Sequence, residues 1–479
     1  MSRRGLVAFV VALATAAAMA TALAGPSSAG SSAASAVRTR VVVAPHGSDS
    51  AVGTAAHPMR TVRAALHRLA PRGGTVVLRG GVYHQRVRLV HEHGITVRPY
   101  RNEHPVLSGA GLTPPTGLTA LVEIADSRHI TVRGLELTGY RTRKLNHVPA
   151  GVYIHGHDYA VRILHNHVHD LGNDNNTLGS FDINAHGIAA YGDDPHRAIH
   201  KLLIAGNVVD NLHLGASESV VVNGNVRGWA IVGNRVFDND NIGVDAIGFE
   251  PTLRGRYRYT YHNRARRGLI AHNTILRIQS RGNPAYWEGG SWCNCADGIY
   301  VDGGMRIRIR DNRVADSDIG IEVAAENPHG DAHDVSVVRN KVTGSLFTGI
   351  TTGGYCNGAK ACGGVLTGRS YHNVFRDNWL RGNNRLDDGS PELLVQYYAW
   401  GNTFTHNTLI ATNSDHVLYG TVPHFKAPAH RPANRSDHNV FRARGVGPAA
   451  MQFGWRGRTY TGARAYVRAT GEDRHSSFR

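Results

Sequence analysis

A short segment recurs through the middle of the chain: a few β-branched or aliphatic residues, an asparagine, then a few more. It reads Ile204-Ala-Gly-Asn-Val-Val-Asp210, Ile231-Val-Gly-Asn-Arg-Val-Phe237, Ile309-Arg-Asp-Asn-Arg-Val-Ala315 and Val337-Val-Arg-Asn-Lys-Val-Thr343. Related turns carry Asn166, Asn207, Asn234, Asn273, Asn312, Asn340, Asn378 and Asn407. Each unit is strand, asparagine turn, strand. A second element follows most units: Gly187-Ile-Ala-Ala-Tyr-Gly192, Gly243-Val-Asp-Ala-Ile-Gly248, Gly298-Ile-Tyr-Val-Asp-Gly303, Gly320-Ile-Glu-Val-Ala324 and Gly349-Ile-Thr-Thr-Gly353. Strand residues alternate faces, so Ile188, Val244, Ile299, Ile321 and Ile350 are expected to point inward as one aliphatic column.

A coil with so little apolar surface cannot bury its inner face alone, whereas stacked coils share one continuous core. The expected fold is therefore all-β, a right-handed parallel β-helix with at least two strands and a turn per coil. Asparagines at one turn of successive coils should form a hydrogen-bonded ladder. An antiparallel sandwich would need tight hairpin signals, and these are lacking. Met59–Leu69 sets Val62, Ala65, Leu66 and Leu69 at i, i+3, i+4 and i+7, one helical face. That helix is expected to cap the first coil, whose open edge would otherwise invite aggregation.

Arg3 and Arg4, the apolar run from Leu6 to Ala20, and Ala22-Leu-Ala24 together predict a signal peptide over 1–24. A Ser/Ala/Gly-rich flexible leader follows over 25–39, and one β-helix domain over 40–479. No other apolar run is long enough to span a bilayer, so a secreted, monomeric protein without a membrane span is expected. In an oxidising compartment Cys293, Cys295, Cys356 and Cys362 should form two disulfides. Links between the Cys293/Cys295 and Cys356/Cys362 pairs are preferred, because bridging Cys-x-Cys is strained.

The formal charge is +17, and only five of the 53 basic residues are lysine. Such a surface suits a polyanion, although an arginine-rich genome would write it too. No basic block with interleaved aromatics points to nucleic acid.

The segment Ala44-Pro-His-Gly-Ser-Asp49, with Gly53-Thr54, Pro58, Gly74-Thr-Val-Val-Leu78 and Gly81-Val-Tyr83, resembles the opening of secreted bacterial β-helix proteins of the pectin-lyase-like superfamily. Thr470-Gly-Glu-Asp-Arg-His-Ser476 resembles the tail that closes many of them. The resemblance implies the fold and sets the chain among polysaccharide lyases, glycoside hydrolases and uronate epimerases, without choosing between them. Neither the catalytic motif of calcium-dependent pectate lyases nor the Lys/Arg pair of alginate and dermatan lyases is matched in full. No family catalytic residue is carried over.

Chemistry is therefore sought on the outer face of the Gly-aliphatic strands. Aligning them gives a third position of Ala189, Val221, Asp245, Tyr300, Glu322 and Thr351, and a fifth of Tyr191, Asn223, Ile247, Asp302, Ala324 and Gly353. Asp245, Asp302 and Glu322 are the predicted catalytic carboxylates, set on three consecutive coils. Strand spacing puts Asp302 roughly 8 Å from either partner along the backbone, a reach from which side chains can form a glycosidase pair. His186, Tyr300, Trp287, Glu250 and Arg339 are the predicted substrate-binding residues, with Tyr355 nearby. The insertions Pro251–Arg267 and Ser280–Cys295 should wall the groove.

Asp297, Asp302, Glu322 and Glu326 could instead hold calcium for a lyase, with Arg339 or Arg306 as base. Alternating His165, His167 and His169, and His155 with His157, read as His-rich edges able to take a transition metal. The function expected is cleavage of glycosidic bonds in an extracellular polysaccharide, for which the basic surface suits an anionic one, leaning to hydrolysis because the aligned groove holds acids and no lysine. The alternatives are calcium-dependent β-elimination on a uronate polymer and a non-catalytic glycan-binding scaffold.

Overall fold

The computed structural model describes residues 39–356, 366–412, 417–421 and 430–479. The predicted signal peptide, all but the last residue of the leader, and Cys362 lie outside them. Three 13-stranded sheets run the length of the solenoid, and each coil adds one strand to each sheet in turn. We number the sheets in the order a coil visits them. The first begins at Arg40–Val43, the second at Gly81–Tyr83 and the third at Val87–Val90. Pairing within them is parallel, except where Gln452–Trp455 meets Arg458–Thr461 at the last coil. The architecture is the right-handed parallel β-helix expected.

The interior follows from strand alternation. Ile188, Val220, Val244, Ile299, Ile321 and Ile350 are consecutive partners in the third sheet, and all are fully buried in the central core. Helix α1 (Val62–Leu69) lays Val62, Ala65, Leu66 and Leu69 on the first coils, with the Thr61 side chain capping Ala64 N–H. A second helix, α2 (Ala463–Thr470), packs Ala463 and Tyr466 on the last strands. The sequence offered no aliphatic stripe to announce it.

The asparagine ladder forms at the bend between the first and second sheets. Asn273 is typical: its Nδ2 donates to Asn312 Oδ1 and Ile231 O, both at 3.0 Å, while its Oδ1 accepts from the backbone and side chain of Asn234. An amide carries donors and an acceptor, so one side chain satisfies its own coil and the next. The same links run from Asn166 through Asn407 to Asn439. The bend needs left-handed backbone before each asparagine, as at Gly206 (φ 65°) and Gly233 (φ 65°). Where the residue is not glycine, as at His165, Asp311 and Arg339, its side chain is thrown outward at that corner.

Two expectations fail for this reason. His165 sits in the bend, while Arg162–Leu164 and His167–His169 belong to different sheets, so His165, His167 and His169 do not share a strand face. Arg339 likewise lies at the ladder corner and not on the third sheet; it forks onto Asp311 of the preceding coil at 2.8 and 2.9 Å. The cysteines differ as well. Cys293 bonds Cys295, because Asn294 in left-handed conformation (φ 53°) folds their Cα atoms to 5.3 Å. Cys356 is also disulfide-bonded.

Candidate active site on the third sheet

The outer face of the third sheet changes character along the solenoid. In its early coils Ala189, Val221 and Ile247 form a small apolar cluster with Tyr153 and Tyr191. From Glu218 onward acids join that cluster on the same face. Observed registers place Asp245, Tyr300, Glu322 and Thr351 side by side and set Asp302 beside Ala324, as aligned from sequence. Four successive coils contribute Glu218, then Asp245 and Glu250, then Asp297 and Asp302, then Glu322 and Glu326. Asp245, Asp297, Asp302 and Glu322 are 2–6% exposed, whereas Glu250 and Glu326 reach solvent at the rim.

Burial pushes Asp245, Asp297, Asp302 and Glu322 well above the ordinary carboxylate range, and their neighbours add to it. Glu218 leads the neighbours of Asp245, and Glu326 those of Asp302 and Glu322. Asp302 alone of these four has an opposing contact, since its carboxylate accepts the Glu326 backbone N–H at 2.7 Å. That bond favours the charged form. Oδ1 of Asp245 and Oδ1 of Asp297 are buried without a hydrogen-bond partner. Burying this many carboxyls on one face disfavours charging all of them together.

Both insertions wall this face. Ser280 and Ala296, the two ends of one, donate to the same oxygen of Asp318 at 2.7–3.1 Å. Within it Tyr286 folds back onto the acids and accepts from Asn241 at 3.2 Å; burial and Glu326 raise its phenol. Trp287 stays half-buried on the hairpin Trp287–Trp292, edge-on to Trp292 at 4.8 Å. The other insertion is tied in by Asn263, which donates to Glu250 O and Arg258 O. Because one insertion precedes its third-sheet strand and the other follows one, the walls stand at opposite ends of the strands.

The remaining predicted residues divide. Glu250 takes a 2.8 Å bond from Asn223. His186 is buried, its Nδ1 3.3 Å from Glu218 Oε2 and its Nε2 3.4 Å from Tyr191 Oη. Tyr300 is 4% exposed and packs against Ile242 and Ala324, so its ring is not open for stacking on a sugar. Tyr355 is 47% exposed, and burial together with the nearby Glu326, Glu322 and Asp302 raises its phenol. Arg306 leans toward Asp334 at 3.7 Å, at the turn into the first sheet. Glu218 and Tyr286 were missed by sequence: Ser217-Glu-Ser219 lacks the Gly-aliphatic marker, and no pattern tells which way an insertion folds.

The calcium expectation meets a geometric test. Among the described residues, the group that brings three ligand atoms within 4.8 Å of one another is Asp437, His438 and His475, on the closing coils. Asp297, Asp302, Glu322 and Glu326 do not converge in this way, so they do not form a ready cation cage.

No family model matches the chain. The uncharacterised protein YwoF of Bacillus subtilis is 33% identical over 440 residues, covering 91% of this chain and 86% of YwoF. The chain belongs to the YwoF family. The breadth of the YwoF match means that coils, insertions and acidic face fall within one aligned span. Pectate lyase PEL9 of Emericella nidulans matches a shorter stretch, 29% identical over 120 residues, or 24% of this chain and 29% of that protein. Among solved structures, a tailspike mutant of E. coli bacteriophage HK620, determined with a hexasaccharide, superposes with TM-score 0.50 at 12% identity, over 79% of this chain and 60% of that one. That likeness is one of fold, the parallel β-helix.

Proposed function

We propose that this member of the YwoF family is an exported carbohydrate-active enzyme that cleaves glycosidic bonds of a polysaccharide with carboxylates of the third sheet. The observation that carries the reading is the stack of buried acids Asp245, Asp302 and Glu322 in neighbouring coils, each raised by burial and by carboxylates beside it, with two insertions standing over it. Glycoside cleavage needs one carboxyl that holds a proton at working pH and one that does not. Asp302, bonded to the Glu326 N–H, is best suited to the charged role of base or nucleophile. Glu322, whose burial and the neighbouring Glu326 carboxylate both favour the protonated form, suits the acid. Asp245, two coils from Glu322, would sit at an adjoining sugar. The hexasaccharide-bearing tailspike supports a glycan on this fold.

A second reading, β-elimination on a uronate polymer, is favoured by the PEL9 match. One experiment separates them: the purified protein is incubated with neutral and acidic polysaccharides, with and without chelator, while reducing ends and ultraviolet absorbance are followed together. Reducing ends without absorbance support hydrolysis. Absorbance abolished by chelator overturns it in favour of elimination.

A further inference from the structure

At the corner where third-sheet strands turn into the first sheet, a different column runs along the solenoid. His93, Arg128, Tyr159, His200, Arg227 and Arg266 are bridged one to the next across successive coils. Beside it lies a cavity of about 610 Å³ whose lining includes Arg197, Arg227, Arg266 and Arg267, four histidines, Tyr159 and Tyr261, and no carboxylate. Arg197 has its own acid, Asp194, at 2.8 Å. Among the described residues, Arg227, Arg266 and Arg267 have none within 4.0 Å.

Arg266 makes the case sharpest. It is 3% exposed, held by Asn225 Oδ1 at 2.7 Å and by two backbone carbonyls, with its guanidinium 4.9 Å from the Tyr261 ring centroid. Its geometry is fixed, yet its charge is uncompensated, which is costly for a buried ion. The field around it is of the same sign: after burial, Arg227 and Lys201 hold the His200 imidazole below its ordinary value. Like charges crowded on fixed scaffolding are settled by an anion.

We infer that this corner pocket seats an oxyanion group, a sulfate ester or a carboxylate, carried by the glycan. The inference rests on the proposed glycan reading and specifies its substrate as anionic. Planar guanidiniums match such groups bidentately, and the two tyrosines supply faces for a sugar ring. The volume is that of an ordinary ligand site. Tyr261 and His262 belong to the insertion whose Asn263 is bonded to Glu250 O, so one wall separates the pocket from the acids and touches both. A chain held here by its charge would be fixed in register beside the carboxylates.

The test uses calorimetry on the untagged protein with a sulfated oligosaccharide, an oligogalacturonate, a neutral oligosaccharide and inorganic sulfate. Arg227→Ala/Arg267→Ala alters exposed side chains; Arg313→Ala/Arg381→Ala removes the same charge from the second sheet. The expected result is binding of at least one anionic oligosaccharide, weakened tenfold or more by the first pair and less than threefold by the second. Which oligosaccharide binds names the oxyanion. Equal weakening by both pairs, binding of inorganic sulfate alone, or no binding of either anionic oligosaccharide overturns the proposal. Pocket-dependent binding with no product from any glycan leaves the pocket standing and removes the catalytic reading instead.

Discussion

The asparagine column and the carboxylate column are built alike, with polar side chains brought into line by the stacking of coils. In the ladder every amide donates to one neighbour and accepts from another, so burial is repaid in hydrogen bonds. On the third sheet the stacked groups, when ionised, are acceptors only. Asp245 and Asp297 each keep a buried oxygen without a partner, and the acids raise one another. A carboxylate stack cannot satisfy itself as an amide stack does. The difference separates polar groups kept for the fold from polar groups whose partner comes from outside.

The comparison breaks most visibly in activity. Asp302→Asn and Glu322→Gln should each lower turnover on the cleaved glycan by about 10²–10⁴-fold while leaving the melting temperature unchanged or higher. Loss of folding in either variant would mean that the acids are structural. Asn273→Ala should do the reverse. It strips partners from Asn234 and Asn312 in the ladder and should cost about 3 kcal/mol in denaturant unfolding, with the acids of the remaining folded molecules still active.

Protonation sharpens the contrast next. Asp245, Asp302 and Glu322 have folded pKa values above their unfolded values near 4. Between the two, the folded chain holds more protons, so stability from these groups is full below about pH 4 and lost as pH rises through the folded values. Asp245→Asn should therefore gain on the natural protein as pH increases from 5 to 8, by about 1–2 kcal/mol. Asn273→Ala, with nothing to titrate, should stay parallel to it. A constant difference for Asp245→Asn would show that its carboxyl is already ionised at pH 5.

The two columns were also unequally legible. The ladder and core could be read because Ile188, Ile299 and Ile321 recur beside turn signals, and inward aliphatics fix strand register. That register carried Asp245, Tyr300 and Glu322 into line correctly. It could not reveal that Tyr300 would be packed under Ile242, because the depth of an outward residue depends on which side chains of the neighbouring coils and turns close over it. Arg339 was misplaced because a charge next to a ladder asparagine is thrown to the corner by the left-handed bend, which sequence spacing does not show. The cationic pocket was visible only as excess arginine, since its members come from four coils.

The smallest effect concerns how firmly the wall is held over the acids. The Cys293–Cys295 bond closes a loop of about three residues, for which chain-entropy arguments give about 1.5 kcal/mol at most. The insertion is already tied down at both ends by Asp318 and through Asn283 to Gly215 O and Asp240 O. Cys293→Ser/Cys295→Ser should therefore leave global unfolding within about 1.5 kcal/mol of the natural protein. The Trp287–Trp292 hairpin, which those cysteines follow directly, should exchange its amide protons faster than the ladder does. If the wall matters only through Tyr286, which is anchored upstream by Asn241 and Asn283, turnover should fall less than threefold. A larger fall without a change in melting would mean that the hairpin itself, with Trp287, touches the substrate.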